Sequence, residues 1–359
     1  MYIHRKVMMI GAEKNKPHKA GQDRQASIMD QIMNDNVVGI DAADELVPVA
    51  SKRRRKQRPV VPDIPTAGVV VTSVKGTTDR QKTVDPRNAL NELTSTEWMP
   101  ETVSVWNQRG LGANHPDAQI ERQHPAPFSF TDISRVVRFF TKRGELVLDP
   151  FVGVGSTLKA CAVEGRRGIG FELNPRYAEL ARERLRVEVR DMFAGLADQS
   201  VRVGDARDLV KELPDNSLDL IVTSPPYWNI LHKEDHKAKQ ERKDNDLDTR
   251  YSDDERDIGN IHDYGKFIEE LASILGACVR ALKPKKHMAI IVSDFRDKSN
   301  FVMFHADIAR AMVKFQLELR GLTVLYQRHK RIFPYGYPYA YVPNIHHQYI
   351  VIMQKAKTA

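Results

Sequence analysis

Apolar residues in the second half of the chain fall into short β-branched runs that alternate with helical repeats. In the helical segments they recur every three or four positions, whereas the runs between them are short and nearly continuous. Alternation of this kind is typical of a mostly parallel sheet with helices on both faces. The predicted strands are 146–148, 168–171, 201–203, 218–222, 288–292, 322–327 and 348–354, and the predicted helices are 131–141, 156–164, 175–189, 264–282 and 301–319.

This pattern predicts an α/β fold with about seven strands, in which the last two strands form an antiparallel hairpin at one edge of the sheet. Residues 1–85 lack sustained periodicity and are expected to be a flexible arm, whereas 86–359 form the folded domain. The arm carries six positive charges at 52–58. These charges either pair with DNA phosphates, serve as a nuclear address or form a solvated run.

Composition adds a modest preference for a polyanionic partner, because 55 Lys and Arg against 47 Asp and Glu give a net charge of +8. The only two cysteines, Cys161 and Cys278, lie far apart without Cys-x-x-Cys spacing, so neither a disulfide framework nor a structural zinc site is predicted. The sequence also holds no apolar run of membrane-spanning length. We therefore expect a soluble, cytoplasmic protein without a bound metal.

Three turns at predicted strand ends carry candidate ligand-binding residues. The first, 149–157, is a glycine-containing loop that leads from a buried strand into a helix. The second ends in Glu172, placed to accept hydrogen bonds from ribose hydroxyls, and the third ends in Asp205, placed to receive an adenine amino group. Together the turns predict a nucleoside pocket. A dinucleotide would need a third glycine, which this Gly-x-Gly loop lacks.

The next predicted strand, 218–222, leads into a Thr-Ser-Pro-Pro-Tyr-Trp segment. Two successive prolines end the strand and fix the backbone, which holds Ser224 and the carbonyl of Pro225 at the edge of the pocket. Tyr227 and Trp228 add flat faces on which an extruded base can stack.

These motifs resemble those of the DNA amino-methyltransferases, and the resemblance covers about 124–355. It implies a Rossmann-like methyltransferase fold, S-adenosyl-L-methionine as cofactor, a cofactor half at 124–211 and a catalytic half at 212–359. His124 to Phe128 resembles the family's motif flanking the cofactor. The resemblance assigns cofactor binding to Asp149, Pro150, Phe151, Gly153, Gly155, Ser156, Thr157, Glu172 and Asp205, and catalysis to Ser224, Pro225, Pro226 and Tyr227.

Two features bear on the substrate that the resemblance implies. Serine in the first position of the tetrapeptide, with Thr223 before it, is commonest in cytosine-N4 enzymes, but some adenine-N6 enzymes carry it, so both bases stay open. The cofactor loop precedes the tetrapeptide here, whereas family members with this style of both motifs usually have the reverse order. The target-recognition segment therefore cannot be located by analogy.

The implied reaction is direct methyl transfer to the exocyclic amine of a base flipped out of duplex DNA. Cytosine N4 is the favoured acceptor, adenine N6 is the alternative, and a cognate restriction enzyme is a further expected partner. An inactive nucleic-acid-binding homologue and an RNA base methyltransferase are the alternatives. The charged insertion 229–261 is a mobile lid, a DNA-contacting segment or a solvated loop. The candidate nucleic-acid contacts are Trp228, Arg328, Lys330, Arg331, Tyr335 and Tyr337, where loop packing is the alternative. His346 and His347 lack further ligands at metal spacing, which favours a structural role.

Overall fold

The computed structural model describes residues 83–108, 115–124, 128–189, 198–228, 254–298, 300–328, 330 and 332–357. Most of the arm at 1–85, most of the insertion at 229–261 and Arg331 lie outside these ranges. The helices are α1 (Ser95–Glu101), α2 (Phe130–Phe140), α3 (Ser156–Glu164), α4 (Pro175–Glu188), α5 (Ala206–Leu209), α6 (Tyr264–Ala281) and α7 (Phe304–Met312). The strands are β1 (Val105–Asn107), β2 (Leu146–Asp149), β3 (Arg167–Glu172), β4 (Gln199–Val203), β5 (Leu218–Thr223), β6 (Leu282–Val292), β7 (Phe295–Asp297), β8 (Asn300–Val302), β9 (Leu317–Tyr326) and β10 (His347–Lys355).

Eight of these strands form one sheet in the order β1-β9-β10-β6-β5-β2-β3-β4. Only β10 runs antiparallel to its neighbours β6 and β9, whereas all other pairs are parallel. The predicted α/β class and the antiparallel hairpin are therefore confirmed. The hairpin is not at the edge, however, because the short strand β1 pairs with β9 from Val105 opposite Val324 to Asn107 opposite Tyr326.

Helices cover both faces of the sheet, as the alternating pattern predicted. On one face α6 and α7 contribute Phe267, Leu271 and Phe304 to a core cluster. On the other face α2 and α3 contribute Val137 and Ala160 to a second cluster. Strand β5 between them is buried at all six positions, four of which are apolar, as expected of a central strand in a sheet that is covered on both faces.

The predicted helix 301–319 is wrong at both ends. Residues Asn300–Val302 pair antiparallel with Phe295–Asp297 as a small separate hairpin, so α7 begins only at Phe304. At the other end Gln316 adopts a left-handed conformation with φ of 61°, and β9 starts at the next residue. Apolar spacing alone did not register either break. Among the described residues no helix is both long and apolar enough to cross a membrane.

Candidate active site

The carboxyl ends of β2, β3, β4 and β5 meet at one edge of the sheet around an open cavity of about 740 Å³. The predicted residues that line it are Pro150, Phe151, Gly153, Glu172, Asp205, Ser224, Pro225 and Pro226. The structure therefore brings part of the predicted cofactor set and three members of the predicted catalytic set to one place.

Asp149 lies behind the cavity and ties two strand ends to the first turn of α3. One carboxylate oxygen accepts hydrogen bonds from Thr223 Oγ1 at 2.6 Å and from the Phe151 amide at 3.0 Å, and the other accepts one from Thr157 Oγ1 at 2.5 Å. Burial raises the pKa of Asp149 to about 6 against the opposing effect of these bonds. Asp149 thus holds the glycine loop together with the turn at 224–227, which is the predicted catalytic turn.

Ser156 belongs to a buried charged network rather than to the cavity lining. Its hydroxyl donates to the Phe128 carbonyl at 2.5 Å and accepts from Arg184 Nη1 at 2.8 Å. The fully buried Arg184 also pairs with Glu121 at 2.6 Å and with Glu188 at 2.9 Å. The predicted residues behind the lining are Asp149, Gly155, Ser156 and Thr157, and their direct contact with a cofactor stays a prediction.

Glu172 is held by two backbone amides. Its carboxylate accepts from the Gly153 amide and from the Asn174 amide, each at 2.9 Å. Burial raises the pKa of Glu172 to about 7, the two N–H donors oppose that rise, and the charges of Asp257 and Asp149 add to it. A partly protonated carboxyl at neutral pH is unusual for glutamate and marks a binding-site candidate.

Gly153 allows the chain to pass close to a neighbouring ring. Its φ is +52°, and a Cβ built there would lie 3.2 Å from Nε2 of His124. The His124 ring lines the cavity and makes an edge-to-face contact with Tyr177 at 4.8 Å. A side chain at 153 would thus be strained and would crowd the cavity wall.

Asp205 is already engaged within the protein. It caps α5 by accepting from the Arg207 amide at 2.8 Å, and it pairs with the Arg207 guanidinium at 2.7 Å. Burial alone would raise the pKa of Asp205, but the hydrogen bonds and charge of Arg207 outweigh it and lower the pKa. Arg207 also donates to the Arg256 carbonyl at 2.9 Å, which fastens the turn at 254–260 to the end of β4.

The turn at 254–260 also forms part of the cavity wall, whereas the sequence predicted only a charged insertion there. Asp257 is buried, lines the cavity and accepts from the Gly259 amide at 2.8 Å, and Ile258 packs into the main core. The local signal was an aspartate followed two residues later by glycine. Its position at the cavity depends on Arg207, and the sequence does not show that contact.

The catalytic turn is anchored by the residue that was expected to stack on a base. Tyr227 is only 4% exposed, and its hydroxyl accepts from the Ser293 amide at 3.1 Å and from the Gln348 side chain at 3.5 Å. Burial raises its pKa to about 12. Trp228 is 9% exposed and packs against Tyr264 at 5.3 Å. Neither ring lines the cavity, and their contact with a base stays a prediction.

The fold exposes some of the predicted nucleic-acid contacts after β9 and buries others. Arg328 and Tyr337 are exposed and Tyr335 is half-buried, whereas Arg331 lies outside the described residues. Lys330 is buried, with Nζ 3.3 Å from the side-chain oxygen of Gln327. Burial removes Lys330 from the surface that was expected to meet phosphates.

The fold and the cavity define an α/β protein with an open pocket at the carboxyl edge of its sheet. The profile of the N6/N4 DNA methylase family matches residues 6–183 and 218–359, so the chain belongs to that family. The predicted family and fold class are confirmed, and the predicted enzyme class is that of the family. S-adenosyl-L-methionine, the methyl donor of this family, is confirmed as the predicted cofactor at the family level.

Individual relatives match shorter segments. The type II methyltransferase M.ScaI of Streptomyces caespitosus is 31% identical over 92 residues, which cover 25% of this chain and 30% of that protein. M.HpaI of Haemophilus parainfluenzae, also a type II methyltransferase, is 28% identical over 158 residues, covering 41% of this chain and 47% of that protein. The matches thus span less than half of either relative. A TehB-like S-adenosylmethionine-dependent methyltransferase from Corynebacterium glutamicum aligns with a TM-score of 0.36 at 15% identity, covering 64% of this chain and 89% of that one.

Proposed function

We propose that this protein transfers a methyl group from S-adenosyl-L-methionine to N4 of a cytosine flipped out of duplex DNA. The observation that carries the proposal is the convergence of Glu172, Asp205 and the Ser224 turn on one cavity. One cavity at this edge of the sheet would bring a methyl donor beside an acceptor amine. Direct transfer between two bound groups gains rate from proximity and orientation.

The cavity residues fit the donor. Its acidic lining comprises Glu172, Asp205 and Asp257, which suits a ligand that offers ribose hydroxyls, an adenine amino group and a positive charge. Apolar side chains of Phe151 and Ile258 lie on the same lining and suit the purine faces. When bound, S-adenosyl-L-methionine supplies an electrophilic methyl group on its sulfonium centre.

Glu172 orients the nucleoside by accepting hydrogen bonds from the ribose hydroxyls. Its carboxylate is fixed by the Gly153 and Asn174 amides, so little conformational entropy is lost when ligand hydroxyls are added. Asp205, pinned by Arg207, and Asp257, on the adjoining turn, receive the adenine amino group. The protein thus fixes the donor through groups that are already in place.

Ser224 and the Pro225 carbonyl act on the acceptor. An exocyclic amine of cytosine is a weak nucleophile because its lone pair is delocalised into the ring. Ser224 Oγ and the Pro225 carbonyl oxygen would each accept a hydrogen bond from one N–H group of the amine. These two hydrogen bonds would localise the nitrogen lone pair and direct it at the methyl group. The hydrogen bonds that the Tyr227 hydroxyl accepts from Ser293 and Gln348 hold this turn in position.

No enzyme nucleophile is needed for this reaction. Both cysteines are free and buried, and burial raises the pKa of Cys161 and raises that of Cys278 to about 12. Thiols in that state are poor nucleophiles. The chemistry therefore points to a single displacement rather than to a covalent intermediate on the base: the amine nitrogen would attack the methyl carbon of the bound donor, and S-adenosylhomocysteine and one amine proton would be released.

Serine at 224 with threonine before it supports cytosine N4 over adenine N6, because that pairing is commonest among the cytosine-N4 enzymes that the motif resembles. Duplex DNA as substrate is supported by the family and by type II relatives such as M.ScaI and M.HpaI. The same relatives support a role beside a cognate restriction enzyme, with the methyl group protecting a short recognition sequence.

Nucleoside mass spectrometry tests the proposal directly. Plasmid DNA is incubated with the full chain and methyl donor, digested and analysed, and N4-methylcytosine is the expected product. N6-methyladenine would overturn the base assignment, and label that enters RNA but not DNA would overturn the choice of polymer. A Ser224→Ala protein run in parallel controls for contaminating methylases.

A further inference from the structure

The loop between β9 and β10 holds the three most exposed large apolar side chains among the described residues. Tyr337, Tyr339 and Tyr341 are 81%, 94% and 91% exposed. They alternate along the chain, so three rings are presented within five positions. Aromatic rings that a fold leaves together in water usually mark a surface that another molecule covers.

The backbone beneath these rings is fixed. The Asn344 side chain closes the base of the loop by donating to the Phe333 carbonyl and accepting from the Phe333 amide, each at 2.9 Å. The Tyr339 and Ala340 amides both donate to the Gly336 carbonyl at 2.7 Å. Gly336 has φ of +72°, and a Cβ there would collide with the Ala340 carbonyl oxygen. The rings are thus displayed on a shaped platform, which lowers the entropic cost of binding.

The platform lies at the catalytic edge of the sheet. Because β9 runs parallel to β5, the end of β9 at Tyr326 and the end of β5 at Thr223 face the same way. In the register of the sheet, Thr223 lies level with Leu322, so Tyr326 lies three strands across and four residues further along, or about 20 Å away. That distance corresponds to about six nucleotide steps along one DNA strand. A strand of that length, with its target base at the predicted catalytic turn, would pass the end of β9, where the loop that carries the tyrosines begins.

The chemistry of the loop favours an opened nucleic-acid strand as its occupant. Residues 332–346 contain no aspartate or glutamate, and the exposed Arg328 lies just before them. A polyanion therefore meets no repulsion from the loop itself. Bases expose their faces for stacking on aromatic side chains only where a duplex is opened, and base flipping opens it at the target.

We infer that Tyr337, Tyr339 and Tyr341 form a stacking platform for bases of the strand that is opened beside the flipped target. The inference rests on the proposed function, since that function supplies the opened strand. It predicts that the protein prefers single-stranded DNA, or a duplex with a small mismatched bubble, to a perfect duplex of the same sequence.

Fluorescence anisotropy of the full chain tests this preference without methyl donor. Three labelled oligonucleotides of one sequence serve as probes at a single salt concentration: a single strand, a perfect duplex and a duplex with a three-base bubble. The triple variant Tyr337→Ser, Tyr339→Ser, Tyr341→Ser should lose about tenfold or more in affinity for the strand and the bubble. Its affinity for the perfect duplex should change little.

Two controls keep the result specific. Replacing the three tyrosines by phenylalanine retains the rings and should keep affinity within about twofold. Ile332→Ser removes an exposed apolar side chain without a ring and should leave binding unchanged. All variants should melt at the wild-type temperature, because the altered side chains lie in water.

The inference is overturned if the serine variant binds the strand and bubble as tightly as wild type, or loses affinity equally for all three probes. A change in oligomeric state with unchanged DNA binding would assign the rings to a second copy of the chain and also overturn it. Tyrosine-dependent binding by a wild-type protein that yields no methylated base would contradict the proposed function alone.

Discussion

The predicted cofactor end of the sheet, which carries Glu172 and Asp205, and the tyrosine loop between β9 and β10 present different kinds of surface. At the cofactor end, Asp149, Glu172 and Asp205 are tied to backbone amides, hydroxyls or Arg207 before any ligand arrives. In the tyrosine loop, the backbone is equally well bonded but the rings stand in water. A small ligand of constant shape is matched by fixed polar groups, whereas a polymer of variable sequence is matched by stacking faces.

The largest predicted effect tests whether the polar groups at the cofactor end are structural. Arg184→Leu removes the cation that pairs with the buried Glu121 and leaves Glu188 paired with Lys159 alone, so it should lower the free energy of unfolding by about 3–5 kcal/mol. Urea unfolding measures the change. Arg182→Leu removes the exposed pair with Glu179 at 3.1 Å and should cost at most about 1 kcal/mol. Equal losses in the free energy of unfolding for the two variants would contradict a structural role for the buried network.

Next in size is the catalytic turn, which should affect rate rather than affinity. Ser224→Ala removes one acceptor for the target amine, so turnover should fall by about 100-fold to 1,000-fold, as loss of one transition-state hydrogen bond does elsewhere. Affinity for the methyl donor should stay within about twofold. Single-turnover kinetics and calorimetry separate the two quantities, with Ser217→Ala, whose hydroxyl donates to the Pro214 carbonyl, as the matched control. Parallel losses in both would reassign Ser224 to donor binding.

Glu172 predicts a pH effect on donor affinity. Its pKa of about 7 means that the carboxylate is mostly protonated at pH 6 and mostly ionised at pH 8. If the ionised form accepts the ribose hydroxyls, affinity should rise about tenfold from pH 6 to pH 8. Glu172→Gln should weaken binding at pH 8 and remove the rise. A pH dependence that persists in the glutamine variant would exclude this group as its source.

The same raised pKa affects the protein without ligand. Because the folded state binds the Glu172 proton more tightly than the unfolded chain, this group favours folding most below its ordinary pKa, and that contribution is lost as pH rises through about 7. Asp149 acts in the same direction, with its contribution lost as pH rises through about 6. Thermal unfolding without donor should therefore show stability declining between pH 5 and pH 8 from these two groups. Glu172→Gln should flatten that decline.

The smallest predicted effect is on donor affinity and concerns the turn at 254–260, which Arg207 links to the end of β4. Asp257→Asn removes a charge from the cavity lining and should weaken donor binding about threefold to tenfold. Asp208→Asn changes an exposed carboxylate that pairs with Lys211 at 2.8 Å, and because neither residue lines the cavity it should have no such effect. Calorimetry with donor at pH 8 measures both. Loss in the Asp208 variant alone would place the ligand contact elsewhere.

Local sequence signals predicted most of the fold and much of the cavity. Helix 156–164 and the turns after β2, β3, β4 and β5 were recognised because glycines, prolines and apolar runs act over a few residues. Strand β1 was missed because three residues carry no periodic signal, and its pairing partner lies more than 200 positions away.

Three of the predicted site residues are buried, which the sequence did not indicate. Sequence composition showed that Tyr227, Trp228 and Lys330 were suited to nucleic acid, but not that the fold would bury them. Burial depends on partners distant in the chain, such as Ser293 and Gln348 for Tyr227. Asp257 was not predicted for the same reason, because the contact between Arg207 and the Arg256 carbonyl that places its turn joins residues far apart in the chain.

A crystal structure of the protein with S-adenosylhomocysteine tests the central claim most directly. We predict that the ribose hydroxyls bind Glu172, that the adenine lies beside Asp205 and Asp257, and that the sulfur faces the Ser224 turn. A ligand bound elsewhere, or one whose sulfur points away from Ser224, would contradict the account.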